Sequence, residues 1–263
     1  MKNRKRPAKT YRTRAIILWI AAALFFIPGS FDLTSLTIAV LLASIGFRSF
    51  MHYRWVIKEE KKEQEEKEAY DKYINSIKRV DVNIADTEIP NLAVNNMPEL
   101  ITRTLEIDLQ YEKCSDFIVV DIKTTGRDPM QHKILEFAAV KFHDYEPVEY
   151  MASLINAESK NETAPIIGKA LPSLIGFVGG SDAVVAHNLS YNVEFLYANG
   201  FDFFKTEKKY YGTREIAKKY FDLDSYKLET LCGLYSIYYE DNHSALHDCV
   251  AIGQLFKELL TDI

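Results

Sequence analysis

A chain of 263 residues has room for one ordinary domain and an additional segment, and an apolar content of 48% is enough to bury a core. The net charge of -5 is unevenly spread: residues 1 to 14 carry seven Lys or Arg and no acid, while the acidic remainder argues against broad non-specific duplex binding. Three cysteines, Cys114, Cys232 and Cys249, are odd in number and lack a C-x-x-C spacing, so neither a disulfide framework nor a zinc site is indicated.

Residues 15–47 are apolar apart from Asp32 and a few hydroxyl side chains, with a break at Pro28, Gly29 and Ser30. Two apolar runs around a tight turn predict a transmembrane hairpin near the lower length limit for spanning a bilayer. Arg12 and Arg14 precede it, and Arg48, Arg54 and Lys58 follow, so the positive-inside rule places both termini on the cytoplasmic face of the cell membrane. Residues 48–80 follow as a charged helical stalk, rich in Glu and Lys three or four apart and without sustained apolar heptads. Pro90 and Pro98 mark residues 81–114 as a linker.

From residue 115 the pattern alternates. DFIVVD, KILEFAAVKF and PVEYMASLI predict three strands of an antiparallel meander. A helix follows over TAPIIGKALPSLIGFVG, disturbed by Pro172, and then a buried strand in AVVAH. VEFLYANG, GTREIAKKYF, KLETLCGLYSIYY and ALHDCVAIGQLFKELL carry helical periodicity, and this order implies a mixed sheet covered by helices. Cys232 and Cys249 fall on apolar helix faces as core fillers, and His132, His143 and His247 read as surface or packing residues.

Three clusters stand out along this domain: Asp121-Ile122-Lys123-Thr124-Thr125-Gly126 at a strand end, His187-Asn188-Leu189-Ser190-Tyr191-Asn192 where a strand gives way to a helix, and His243-Ser244-Ala245-Leu246-His247-Asp248 opening the last helix. In order, spacing and context they resemble the motifs of the DEDDh branch of the DnaQ-like 3′-5′ exonucleases: Asp-x-Glu-Thr-Thr-Gly, Ala-His-Asn-x-x-Phe-Asp and His-x-Ala-x-x-Asp. The resemblance covers about residues 115 to 262. It implies an α/β, ribonuclease H-like domain at 115–263, a mixed β-sheet flanked by helices and preceded by the transmembrane hairpin. It also implies a site in which four carboxylates hold two Mg²⁺ or Mn²⁺ ions for phosphodiester hydrolysis while a His activates water. Asp121 and Asp248 match the first and last carboxylates and are the implied metal ligands, and His243 matches the general base. Thr124, Thr125, Gly126, His187 and Asn188 are the implied contacts to nucleic acid.

Two positions depart from the family pattern. Lys123 stands where the family has Glu, and Asn192 where it has Asp, leaving a formal charge of -1 where four carboxylates would give -4. An ammonium beside Asp121 can pair with it and fill space a metal would take. Arg127 and a short connection from Ala157 to Pro165 also differ from the family where the 3′ end is gripped. Three readings remain open at this point: a domain that binds single-stranded 3′ ends or nucleotides with impaired hydrolysis and weak Mg²⁺ or Mn²⁺ binding, a residual exonuclease using one metal on Asp121 and Asp248, and a non-catalytic interaction module at the membrane.

Overall fold

The computed structural model describes residues 16–18, 33–86, 114–157, 164–202, 208–239 and 244–263. The chain divides into two compact units, Met1–Asp71 and Lys72–Ile263.

In the first unit, helix α1 (Leu33–Ser76) runs without interruption from the second apolar run into the charged segment, and its last turn enters the second unit. The i,i+4 pairs Lys61–Glu65 at 3.2 Å and Lys62–Glu66 at 3.3 Å support its charged part. Val40, Leu41, Ile45 and Phe47 stand exposed along its apolar part. Among the described residues no helix is long and apolar enough to cross a membrane. Most of the first apolar run, with the turn expected at Pro28 to Ser30, lies outside them.

Among the described residues the second unit is built on a six-stranded sheet in the order β1 (Lys78–Arg79), β4 (Glu146–Leu154), β3 (Ile134–His143), β2 (Phe117–Thr124), β5 (Ala183–Ala186) and β6 (Lys209–Gly212). The meander expected from the sequence forms β2 (Phe117–Thr124), β3 (Ile134–His143) and β4 (Glu146–Leu154), paired antiparallel. The β3–β4 hairpin closes through Asp144 and Tyr145, whose φ values of 51° and 65° give the twist that two-residue hairpin turns require. On the other side of β2 lie β5 (Ala183–Ala186) and then β6 (Lys209–Gly212), both parallel to it. The two-residue strand β1 (Lys78–Arg79) adds to β4 at the far edge, inside the segment read from the sequence as stalk. Beyond it Val80 and Val82 pack on the core, and Asn83 exchanges hydrogen bonds with Ser173 at 2.9 and 2.7 Å, so the first residues of the expected linker are docked.

Helices cover both faces. Ile118, Val120 and Ile122 point to one face, where α2 (Ile167–Gly179) and α3 (Leu189–Ala198) supply Leu171, Leu174, Phe195 and Leu196. Pro172 removes one hydrogen-bond donor, but α2 continues through it. The alternate residues Phe117, Val119, Asp121 and Lys123 point the other way. That face lies under α6 (Ala245–Asp262), with Phe117 stacked on Phe142 at 4.7 Å and edge-on to Phe256 at 4.9 Å. Between β6 and α6 run α4 (Thr213–Tyr220) and α5 (Leu228–Leu234). Helix α5 is shorter than its periodicity suggested: Ser236 takes φ 56°, and Ile237 N donates to Cys232 O at 2.9 Å, a left-handed closure that ends the helix.

Candidate active site

The alternation of β2 sets the site. A side-chain period of two puts Asp121 and Lys123 on the face that begins with Phe117 and Val119, so two polar groups end an apolar stripe. Asp248 comes down on them from the first turn of α6. The helix is anchored from the sheet: Ala245 N donates to Glu136 Oε1 at 3.0 Å, and Glu136 is the direct cross-strand partner of Lys123. Ser244 makes no side-chain cap to the helix backbone, so Glu136 takes that role. Burial pushes the Glu136 carboxyl up, the helix N–H and Lys123 pull it down, and Asp248 adds to the rise.

Lys123 bridges the two aspartates. Its Nζ donates to Asp248 Oδ2 and lies 3.5 Å from Asp121 Oδ2, with Asp248 and Asp121 only 8% and 14% exposed at the side chain. Burial works against charge on the ammonium, yet Asp121 and Asp248 together outweigh it and hold the Lys123 pKa above its ordinary value. Asp121 has the weaker share of the pairing. Burial lifts its pKa from 3.8 to about 7; Lys123 opposes the shift and Asp248 reinforces it. Burial thus works against a full negative charge on Asp121, and the neighbouring ammonium works for it. Asp121 Oδ2, Asp248 Oδ1 and Asn192 Oδ1 are buried and accept no hydrogen bond.

These residues do not fit a pair of divalent cations. The ammonium sits where a cation shared by Asp121 and Asp248 would have to sit, and like charge excludes both at once. Asn192 is buried on α3, and its Nδ2 donates to Asn188 O at 3.1 Å, so the amide turns back on its own helix. Among the described residues no group of three or more His, Cys, Asp or Glu is placed to hold a metal ion. His243 lies outside the described residues.

The turn after β2 is internally locked. Thr124 Oγ1 donates to Gly126 O at 2.5 Å and meets the hydroxyl of Tyr191, which itself reaches Gly126 O at 3.1 Å. Thr125 Oγ1 accepts from Lys133 N at 3.0 Å and contacts His132 Nδ1 at 3.2 Å. The imidazole of His132 packs closely on Gly126: a Cβ there would lie 2.4 Å from the ring, so any larger residue requires His132 to swing aside. Tyr191 and His132 were not singled out as site residues from the sequence, because a tyrosine on a helix and a histidine in a turn carry no motif.

His187 is a brace. Its Nε2 donates to Tyr226 O at 3.1 Å, which leaves Nδ1 to accept from the Thr213 hydroxyl at 2.9 Å, and both ring nitrogens are thereby used. Burial lowers its pKa to about 4, opposed by the Tyr226 carbonyl and assisted by Arg214, so the ring is neutral at physiological pH. Asn188 precedes α3 and accepts from Ser190 Oγ at 3.3 Å. Cys249, buried beneath the cluster, donates to Ala138 O at 3.5 Å, and burial together with Asp121 and Asp248 keeps its thiol protonated. Burial likewise lifts the Cys232 thiol to about 12. Neither is placed as a nucleophile, in keeping with core packing.

Residues 155–256 match the family model described as Exonuclease (RNase_T). The chain is 29% identical over 178 residues to a PolC-type DNA polymerase III of Caldanaerobacter subterraneus subsp. tengcongensis, covering 61% of this chain and 12% of that protein. A PolC-type DNA polymerase III of Clostridium perfringens is 30% identical over 159 residues, 54% of this chain and 11% of that one. The chain thus spans only a small part of the curated relatives it matches. Among solved structures, exonuclease X in complex with 5′ overhanging duplex DNA aligns with a TM-score of 0.43 and 20% identity, over 56% of this chain and 92% of that chain. Brucella melitensis NrnC with bound Mg²⁺ aligns with a TM-score of 0.40 and 16% identity, over 70% and 79% of the two chains.

Proposed function

We propose that the C-terminal domain, whose residues 155–256 match the exonuclease family model, is a DnaQ-like 3′-5′ exonuclease relative of the ribonuclease H-like superfamily that binds single-stranded 3′ ends or nucleotides with hydrolysis impaired or lost. The observation that carries this reading is the ion pairing of one ammonium, Lys123 Nζ, with both Asp121 and Asp248. A two-cation mechanism supplies an activated water and neutralises the phosphate. Here a fixed cation neutralises the carboxylates instead, and an ammonium neither acidifies a ligated water as a metal does nor supplies a second charge. Lys123 is 35% exposed at the side chain, so its charge still faces solvent and can attract a phosphate. The locked Thr124–Thr125–Gly126 turn and Asn188 present a preformed backbone beside it for the terminal nucleotide.

We assign the domain to the cytoplasmic face of the cell membrane, carried by residues 15–47. The exposed apolar residues of α1 and the basic flanks on either side of the apolar stretch support this. Cysteine labelling of intact cells should modify a Cys placed between Gly29 and Thr34 and leave the C-terminal domain protected; labelling of that domain from outside rejects the topology.

A second reading is a residual exonuclease using one metal, favoured by the buried Asp248 Oδ1, which accepts no hydrogen bond, and by Asp121 Oδ2, which is held only by the long 3.5 Å ion pair to Lys123. Mixing the full-length chain with 5′-labelled single-stranded DNA and RNA, with and without Mg²⁺ or Mn²⁺, separates the possibilities. Saturable binding without shortening of the strand is the expected result. Metal-dependent shortening supports the residual enzyme, and no binding at all leaves only an interaction role at the membrane.

A further inference from the structure

We infer that a second, basic cleft beside the carboxylate cluster binds a phosphate group, and that Arg127, Arg214 and Lys227 are its ligands. This deepens the reading of the domain as one that binds nucleotides or strands, and rests on it. The cleft encloses about 480 Å³. Its three cations come from separate segments, the turn after β2, the first turn of α4 and the residue preceding α5.

Topology explains why these side chains meet. Strands β2, β5 and β6 are adjacent and parallel, so the chain leaves all three at one edge of the sheet. Arg127 follows β2, His187 and Asn188 follow β5, and Arg214 follows β6. In α/β sheets this carboxyl edge is where ligands bind, because loops there converge on a crevice that the strands keep rigid. Asp121 and Lys123 belong to the same edge, which makes the cleft a continuation of the candidate active site toward β6.

The charge of the cleft is predominantly positive. Three cations face it against one carboxylate, Asp224, a formal +2 in a chain whose net charge is -5. Among the described residues no ion pair within 4.0 Å involves Arg127, Arg214 or Lys227, although Arg214 acts electrostatically on the adjacent Glu215 carboxyl and pulls it down. His187 forms part of the wall and, being neutral with both nitrogens engaged, holds Tyr226 and Thr213 in place without competing for the ligand. Convergent guanidinium and ammonium groups suit the planar-edged, multiply accepting oxygens of a phosphate. That phosphate can be an internucleotide phosphodiester or a terminal monoester.

The test uses the full-length chain and the Arg127→Gln/Arg214→Gln/Lys227→Gln variant, with inorganic phosphate, a nucleoside 5′-monophosphate and an oligonucleotide lacking terminal phosphates as probes. At least one probe should bind the native chain, and neutralising the cleft should weaken it by about tenfold or more and flatten its salt dependence. Loss confined to the monophosphate identifies a terminal phosphate, and loss of the oligonucleotide identifies a phosphodiester. If the triple variant does not fold, the exposed pair Arg127→Gln/Lys227→Gln replaces it. Unchanged affinity and salt slope for every probe overturn the cleft while leaving strand binding standing. Cleft-dependent binding of phosphate or monophosphate, with no affinity for any strand bearing a free 3′ end, instead overturns the 3′-end reading alone. No binding by any probe overturns both.

Discussion

Lys123 on β2 and Asp248 on α6 form a part-buried ion pair across 125 residues of sequence, and the same ammonium lies 3.5 Å from Asp121. One side chain thereby ties the end of the central strand to the first turn of the last helix. Replacing it by Met leaves two neighbouring carboxylates without a cation. We expect Lys123→Met to lower stability by about 1 to 3 kcal/mol in urea unfolding at pH 7, toward the lower figure because solvent reaches the lysine. An unchanged midpoint would mean that the pair contributes nothing to holding α6 on the sheet.

His187 gives a pH dependence of defined sign. Its folded pKa of about 4 lies below the ordinary 6.5, so the unfolded chain binds the proton more readily. The stability it contributes is complete above pH 6.5 and is lost as the pH falls toward 4, by on the order of 2 to 3 kcal/mol. A His187→Gln variant should show a shallower fall in unfolding free energy than the native chain between pH 6.5 and 4. Parallel curves for the two proteins contradict the assignment of His187 as a buried neutral brace.

Gly253 tests the packing of α6. A Cβ at this position would lie 2.1 Å from the ring of Phe142, which is itself stacked on Phe117. Gly253→Ala gains helix propensity but overpacks a buried aromatic layer, and we expect a net loss of about 1 to 3 kcal/mol in thermal or denaturant unfolding. A more stable variant would show that the helix has room to move outward.

The three long strands and the last helix were legible because each carries a run long enough to declare a period: KILEFAAVKF alternates, and ALHDCVAIGQLFKELL repeats its apolar face. Strand β6 was not, since KYYG has only four residues and joins directly to the helix that follows. The end of α5 was missed because Ser236 in a left-handed conformation carries no glycine signal. At the site, the substitutions at 123 and 192 were readable from the motif. The consequence of Lys123 pairing more closely with Asp248 than with Asp121 was not, because it depends on how α6 approaches β2. Glu136 as the anchor of α6 was also hidden, since it reads as one polar residue in an alternating strand.

The most direct test of the account is the release of 3′-terminal nucleotides from a 5′-labelled single strand in Mg²⁺ or Mn²⁺, by the full-length chain and by Lys123→Glu/Asn192→Asp. The double exchange changes the formal site charge from -1 to -4 and restores the oxygen-ligand set that divalent cations require. Each single exchange should gain less than the pair, because ligands of one cluster act together. The account predicts little or no release by the native chain and a gain on the order of a hundredfold or more in the double variant, lost again on His243→Ala. Robust metal-dependent release by the native chain, abolished by Asp121→Ala, would contradict it.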